Sequence, residues 1–299
     1  MTPDDLMFKA GLMKGERILI TGGGTGLGKE MAEGCLILGA EVYICGRRGG
    51  VLEEAAKELM DRHGGTVIPI ACDIRVPEAI HDMMDQIWAA GPLTGVINNA
   101  AGNFISRTED LSTRGFDAIS NIVFRGSFFV TLEAGKRWLA EGRKGAVVSI
   151  LTTWVWSGGP FTVPSAMSKA GLNVMTQSLA AEWGNRGIRL NAIAPGPFPT
   201  EGAWARLNPG TPASGEARPQ TGSPLGRMGE MRELANLAVY LLHPLSEYVN
   251  GQTIAIDGGN WNAGGGGFSR LREWGDTEWE NARSMIQGAN AQDRAKRTV

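Results

Sequence analysis

Apolar residues along this chain gather in short runs, separated by longer stretches in which they recur every three or four positions. The short runs are RILIT (Arg17 to Thr21), EVYICGR (Glu41 to Arg47), TVIPIACD (Thr66 to Asp73), TGVINNA (Thr94 to Ala100), GAVVSIL (Gly145 to Leu151), IRLNAIAP (Ile188 to Pro195) and QTIAID (Gln252 to Asp257). Continuous apolar runs suit strands covered on both faces, where no side of the strand meets water. Between them, EEAAKELMDRH is stopped by Gly64, and PSAMSKAGLNVMTQSLAAEW opens with Pro164 and closes near Gly184. Proline at the start and glycine past the end are the ordinary punctuation of helices. This rhythm predicts one doubly wound α/β domain of the Rossmann type across residues 1–299, with a mainly parallel sheet of about seven strands and helices on both faces.

Two stretches break the rhythm. Residues 196–228 are rich in Gly, Pro and Ser and follow the carboxyl end of a predicted strand. A connection of that length and place predicts a loop that covers the substrate. Residues 262–299 form an extension in which a flexible NAGGGG joint precedes a mixed-charge helix predicted over Phe268 to Gln287. Subunit packing and a share in the active-site wall are equally open roles for it.

Composition narrows the function classes. Apolar residues make up 42% and charged residues 20%, with 29 basic and 31 acidic side chains for a net charge of -2. A chain of this length buries about three quarters of its unfolded surface. No basic excess points to nucleic acid or to an anionic membrane. No run reaches the roughly 18 apolar residues of a membrane span, and the acidic start lacks the pattern of a leader peptide. Cys35, Cys45 and Cys72 show no paired spacing, which predicts buried free thiols in a reducing compartment, here the cytoplasm. His63, His81 and His243 are scattered and read as solvated or capped surface groups, so no metal is expected.

The first chemical signal is TGGGTGLG, directly after the first predicted strand. Gly22, Gly26 and Gly28 have the spacing for a tight turn and for close approach of backbone to a pyrophosphate, with the amino end of the next helix aimed at the phosphates. The second strand ends in CGRR, with Arg47 and Arg48 where a carboxylate would select the ribose hydroxyls of NAD. Two guanidiniums suit a 2′-phosphate instead, predicting NADP(H). Asp73, ending the third run, is a candidate acceptor for the adenine amino group or a helix cap.

Taken together, TGGGTGLG, the NNAAG of Asn98 to Gly102, Lys169 and the Pro195–Gly196 turn resemble the short-chain dehydrogenase/reductase family. Within it, NNAAGNFIS, FVTLEAGK, VPSAMSKAG, LAAEWG and APGPFPTEG are similar to the 2,4-dienoyl-CoA reductases. The resemblance implies NADPH-dependent reduction of dienoyl thioesters to 3-enoyl thioesters by a homotetramer. It also implies that Asn103 holds the thioester carbonyl, that Lys169 binds the nicotinamide ribose, and that Ser165 stands where the wider family has its catalytic tyrosine. Trp154 falls where a second hydrogen-bonding tyrosine is expected; with Trp156 and Phe161 close by, an aromatic wall suited to a fatty acyl chain and plain core packing are equally open roles. Further cofactor contacts are implied for Leu27, Ile74, Asn99, Ala100, Pro195 and Gly196, and Thr200, just after the PGPFP turn, is a candidate partner for the carboxamide or a cap of the next helix. Arg125 replaces a family asparagine; a phosphate of coenzyme A, an ion pair with Glu133 or Glu182, or solvent are its open partners.

The chemistry bears on the missing tyrosine. Reduction of a ketone leaves an alkoxide that needs a proton on oxygen, and neither an indole nor an isolated serine is a usable acid. Conjugate reduction instead leaves an enolate, whose oxygen requires only placed donors such as Asn103 and the Trp154 N–H, while the proton goes to carbon. Water near Asn173 is a candidate source of that proton. Two rival classes remain at this point: a short-chain alcohol or ketone oxidoreductase, and a non-catalytic NADP(H)-binding protein.

Overall fold

A computed structural model describes residues 1–200, 223–263 and 269–295. Seven strands, β1 (Arg17–Thr21), β2 (Glu41–Gly46), β3 (Thr66–Ala71), β4 (Gly95–Asn98), β5 (Gly145–Ile150), β6 (Ile188–Pro195) and β7 (Thr253–Ile256), form one sheet in the order β3-β2-β1-β4-β5-β6-β7. Every pairing is parallel. The order reverses between β1 and β4, which opens a crevice at the carboxyl ends of the strands, where such sheets take their ligands.

The five inner runs become strands because both faces are buried, while the edge strands β3 and β7 stay partly exposed. On one face, α1 (Gly26–Ile37), α2 (Gly49–His63) and a later helix, Met231–Leu242, pack over Ile18, Ile20, Val42 and Ile44. On the other, α3 (Pro77–Ala90), α5 (Ser127–Glu141) and α7 (Val163–Trp183) bury Ile80, Met84, Trp138 and Trp183 against Leu19, Val96 and Leu190. Between α3 and α5 lie α4 (Thr113–Ser120) and a wide π-helical turn at Asn121–Gly126, and a short α6 (Trp154–Ser157) follows β5.

Several local expectations shift. Gly184 keeps helical φ of -57°, so the chain continues through one tighter turn and ends at Gly187, whose φ is +83°. The C-terminal helix runs from Asp276 to Ala295, starting beyond the Phe268 expected from the pattern. His63 is not solvated: its ring bonds Glu33, a buried carboxylate that also receives Arg62 and the terminal amine of Met1. A buried carboxylate must gather such partners or lose its charge. His81 pairs with Asp85 and Glu133 on the outer face of α3 and α5. All three cysteines are buried and free, and burial pushes the Cys72 thiol up to about 11. Among the described residues no helix is long and apolar enough to cross a membrane. Of the predicted covering loop 196–228, residues 201–222 lie outside the described residues, as do 264–268 and 296–299 of the extension.

Candidate active site

The glycine loop between β1 and α1 is built by steric exclusion. Gly22 and Gly26 hold φ of +67° and +54°, which side-chain-bearing residues seldom adopt. A Cβ on Gly28 would lie 2.4 Å from the Gly22 carbonyl oxygen and 2.5 Å from Asn99 Nδ2, so no other residue fits. Asn99 braces this turn from β4, its Nδ2 donating to the Thr21 carbonyl at 3.0 Å. The Thr21 hydroxyl accepts the N–H groups of Asn99 (3.0 Å) and Ala100 (2.9 Å). Thr25, at the start of α1, makes no side-chain cap, which leaves the first N–H groups of the helix, among them Leu27, free for an anion. Thr200 closes the far side: a Cβ on Gly26 would lie 3.7 Å from its methyl group.

Around this cradle, Arg47 and Arg48 stand exposed at the end of β2, with no hydrogen bond or ion pair to a described side chain. The Asp73 carboxylate is occupied, accepting Arg75 Nε at 2.9 and 3.0 Å, and this guanidinium holds its pKa below the usual carboxylate range. Ile74 is buried under the π turn, where a Cβ on Gly126 would lie 2.8 Å from its side chain. Arg125 donates to the Arg75 carbonyl at 2.8 Å and lies over the Phe129 ring at 5.1 Å, so neither of the expected ion pairs forms.

The opposite wall comes from the loops after β4 and β5. Lys169, half-buried on α7, donates to the Leu151 carbonyl at 2.8 Å, which ties the helix to the end of β5. Burial pushes its pKa down to about 8. Ser165 lies one turn earlier, buried, its hydroxyl making no hydrogen bond to a described residue. Trp154 begins α6, three residues past Leu151; its ring lies over Gly159, where a Cβ would come within 2.9 Å, and its N–H is likewise unpartnered among the described residues. Asn103 accepts the Phe104 N–H at 2.9 Å through Oδ1, which leaves Nδ2 free to donate. The Ser106 N–H donates to the Phe161 carbonyl at 2.9 Å, joining the Asn103 loop to the stretch that leads into Ser165.

With this geometry in view, residues 22–260 match the family model described as enoyl-(acyl carrier protein) reductase. The chain is similar to a probable (3E)-enoyl-CoA-producing 2,4-dienoyl-CoA reductase of Caenorhabditis elegans, 40% identical over 293 residues, which covers 97% of this chain and 95% of the relative. It is similar also to a probable (2E)-enoyl-CoA-producing 2,4-dienoyl-CoA reductase of Bacillus subtilis, 40% identical, covering 83% and 98%. A crystal structure of a short chain dehydrogenase from Bacillus anthracis superposes with a TM-score of 0.74 at 40% identity, covering 83% of this chain and 97% of that one. The chain belongs to the short-chain dehydrogenase/reductase family. It is therefore an oxidoreductase of the kind that uses a nicotinamide dinucleotide, and the Gly22–Gly28 turn, packed so tightly that a Cβ on Gly22, Gly23 or Gly28 would come within 3.0 Å of a neighbour, fits the close backbone approach that group requires.

Within the family frame, the fold gathers Gly22, Gly26, Gly28, Asn99, Ala100 and Thr200 around one turn, and Lys169 and Trp154 around the end of β5. Asn173, one turn beyond Lys169, accepts the Thr253 hydroxyl on β7 at 2.6 Å through Oδ1. Two residues escaped the sequence reading. Asp257 backs onto Gly196, where a Cβ would lie 2.7 Å from its own, and Trp261 follows it. The signal was the DGG turn after the last strand, whose glycines take φ of +62° and +81°.

Proposed function

We propose that this protein is an NADPH-dependent reductase of unsaturated acyl-CoA thioesters, converting conjugated 2,4-dienoyl-CoA to 3-enoyl-CoA. The observation that carries the reading is the absence of any phenol at the site. The chain has three tyrosines. Tyr43 is buried on β2 against Arg17, Tyr240 lies on the Met231–Leu242 helix, and Tyr248 is exposed beyond it. What stands beside Lys169 is the hydroxyl of Ser165, a poor acid, with the neutral donors Asn103 Nδ2 and Trp154 N–H on adjoining loops. Such donors can hold the enolate oxygen of a thioester without surrendering a proton, the arrangement that conjugate reduction needs and carbonyl reduction does not.

A dinucleotide held by the glycine turn and Lys169 would supply the hydride for the far carbon of the conjugated system. Lys169, charged below about pH 8, has two further hydrogens to offer the nicotinamide ribose beyond the one given to Leu151. Arg47 and Arg48, unpaired among described residues, favour a 2′-phosphate and hence NADPH. The 3-enoyl product is favoured because relatives named for it match up to 97% of the chain, the C-terminal part included, whereas the (2E)-named relative matches 83%. For the homotetramer, the face assigned is the apolar row of Phe124, Met167 and Val174, each at least 44% exposed, with the Phe124 ring seated on Gly171.

The test follows NADPH absorbance with a trans-2,trans-4-dienoyl-CoA and with a panel of ketones. Consumption with the dienoyl thioester alone is expected, at a rate that Trp154→Tyr preserves or raises. Consumption with ketones alone would overturn the reaction, and tighter binding of NADH than NADPH would overturn the cofactor.

A further inference from the structure

Helix α6 carries a second indole, Trp156, whose ring meets that of Trp261 with centroids 5.4 Å apart and planes inclined by 39°. Trp156 issues from the end of β5 and Trp261 from the end of β7, and β6 lies between those strands. The stacked pair therefore reaches across the carboxyl edge of the sheet past the end of β6, on the side where open α/β sheets hold ligands.

The Trp261 end is held firmly. Asp257 accepts the Trp261 backbone N–H at 2.6 Å through Oδ2 and the Gly259 N–H at 2.9 Å through Oδ1. Because Asp257 also backs onto Gly196, one side chain fixes Trp261 relative to the Pro195–Gly196 turn. Trp156 keeps 39% of its surface open, so the stack still presents a face to a ligand. Paired indoles offer apolar area and dispersion to a hydrocarbon chain and little to phosphates or a nucleotide sugar. The acyl tail is the aliphatic part of the substrate, and it adjoins the thioester that the reading above sets at Trp154, on the same short helix as Trp156.

We propose that the Trp156–Trp261 stack forms the far wall of the acyl site and limits the chain length the protein accepts, with Asp257 as the residue that positions it. This rests on the acyl-CoA reading above. Binding, not turnover, tests it: saturated acyl-CoAs of increasing chain length are titrated by calorimetry into the whole protein and into Trp156→Ala and Trp261→Ala.

Opening the wall is expected to raise the long-chain to short-chain affinity ratio about tenfold, the scale of discrimination available to a few methylenes in an apolar pocket. Trp261→Phe, which keeps a ring in place and guards against a folding artefact, should stay near the parent's profile. Asp257→Asn, with one acceptor oxygen left for two N–H groups, should shift the ratio in the same direction by less. An unchanged ratio in both alanine variants would overturn the wall, and an unchanged Asp257→Asn profile would remove Asp257 from it. Altered ratios in a protein that turns over no dienoyl-CoA would sink the proposed reaction and leave the wall standing.

Discussion

The two walls of the cleft solve the same backbone problem in opposite ways. In the nucleotide loop, both residues of positive φ are glycine, Gly22 at +67° and Gly26 at +54°. In the loop between α6 and α7, Gly158 takes +72°, but a second residue of positive φ, at +62°, is Phe161, a large side chain that is 60% exposed. A phenylalanine there costs roughly 1–2 kcal/mol that a glycine would not. The nucleotide wall thus meets every positive φ with glycine, while the wall after β5 also holds a strained side chain. Strain of this kind persists where surrounding contacts enforce it, here the Ser106 N–H on the Phe161 carbonyl.

The comparison can be broken from either side. Removing a donor from the substrate wall should hurt chemistry alone: Asn103→Ala is expected to slow dienoyl-CoA turnover by about 10²–10³-fold, as loss of an oxyanion donor does elsewhere. Stopped-flow rates beside a dinucleotide titration check this, and weakened NADPH binding in the variant would contradict the division. Crowding the nucleotide wall should instead cost fold and cofactor together. With a Cβ 2.4 Å from the Gly22 oxygen, Gly28→Ala is expected to destabilise the protein by up to about 3 kcal/mol and abolish dinucleotide binding. A variant with parental melting temperature and affinity would show that the loop yields.

Lys169 joins the two walls, and pH sharpens its part. Burial sets its pKa near 8 in the free protein, below the 10.5 of an exposed lysine. The ammonium is present below that value and lost as pH rises through it, so dinucleotide affinity should fall about tenfold per pH unit above 8. In Lys169→Arg, which stays charged, the decline should vanish from a fluorescence titration; a flat parental profile would free Lys169 from cofactor binding. The smallest effect is expected at the strained position. Phe161→Gly should raise stability by about 0.5 kcal/mol, the relief of strain less the entropy of the added glycine. A lowered melting temperature would mean that the ring's contacts outweigh the strain.

Much of the frame was legible in the chain itself. The runs at Arg17–Thr21 and Ile188–Pro195 are strands over the residues expected, and the others lose a residue or two at their ends. For the five inner strands, burial on both faces leaves so little choice of residue that the pattern alone reveals them. Glycine loops are legible for a related reason, since steric exclusion writes itself as a missing side chain. Asp73, Asn173 and Arg125 were harder to place. Each is a polar side chain within reach of several partners, and only the fold shows that Arg75, Thr253 and the Arg75 carbonyl are the ones taken. Gly184 misled because glycine permits a left-handed stop without compelling one; the stop came at Gly187.

By itself, then, the sequence determined the parallel sheet, the glycine turn after β1, and the lack of a tyrosine at Ser165. These depend on local sterics and on residue identity, which neighbours in the chain suffice to express. Only the tertiary structure decided that Trp156 would meet Trp261, that Asp257 would lie under Gly196, and that Lys169 would anchor on Leu151. Those contacts join segments set by different strands, and no local periodicity encodes a distance between two loops that meet because β5, β6 and β7 lie side by side.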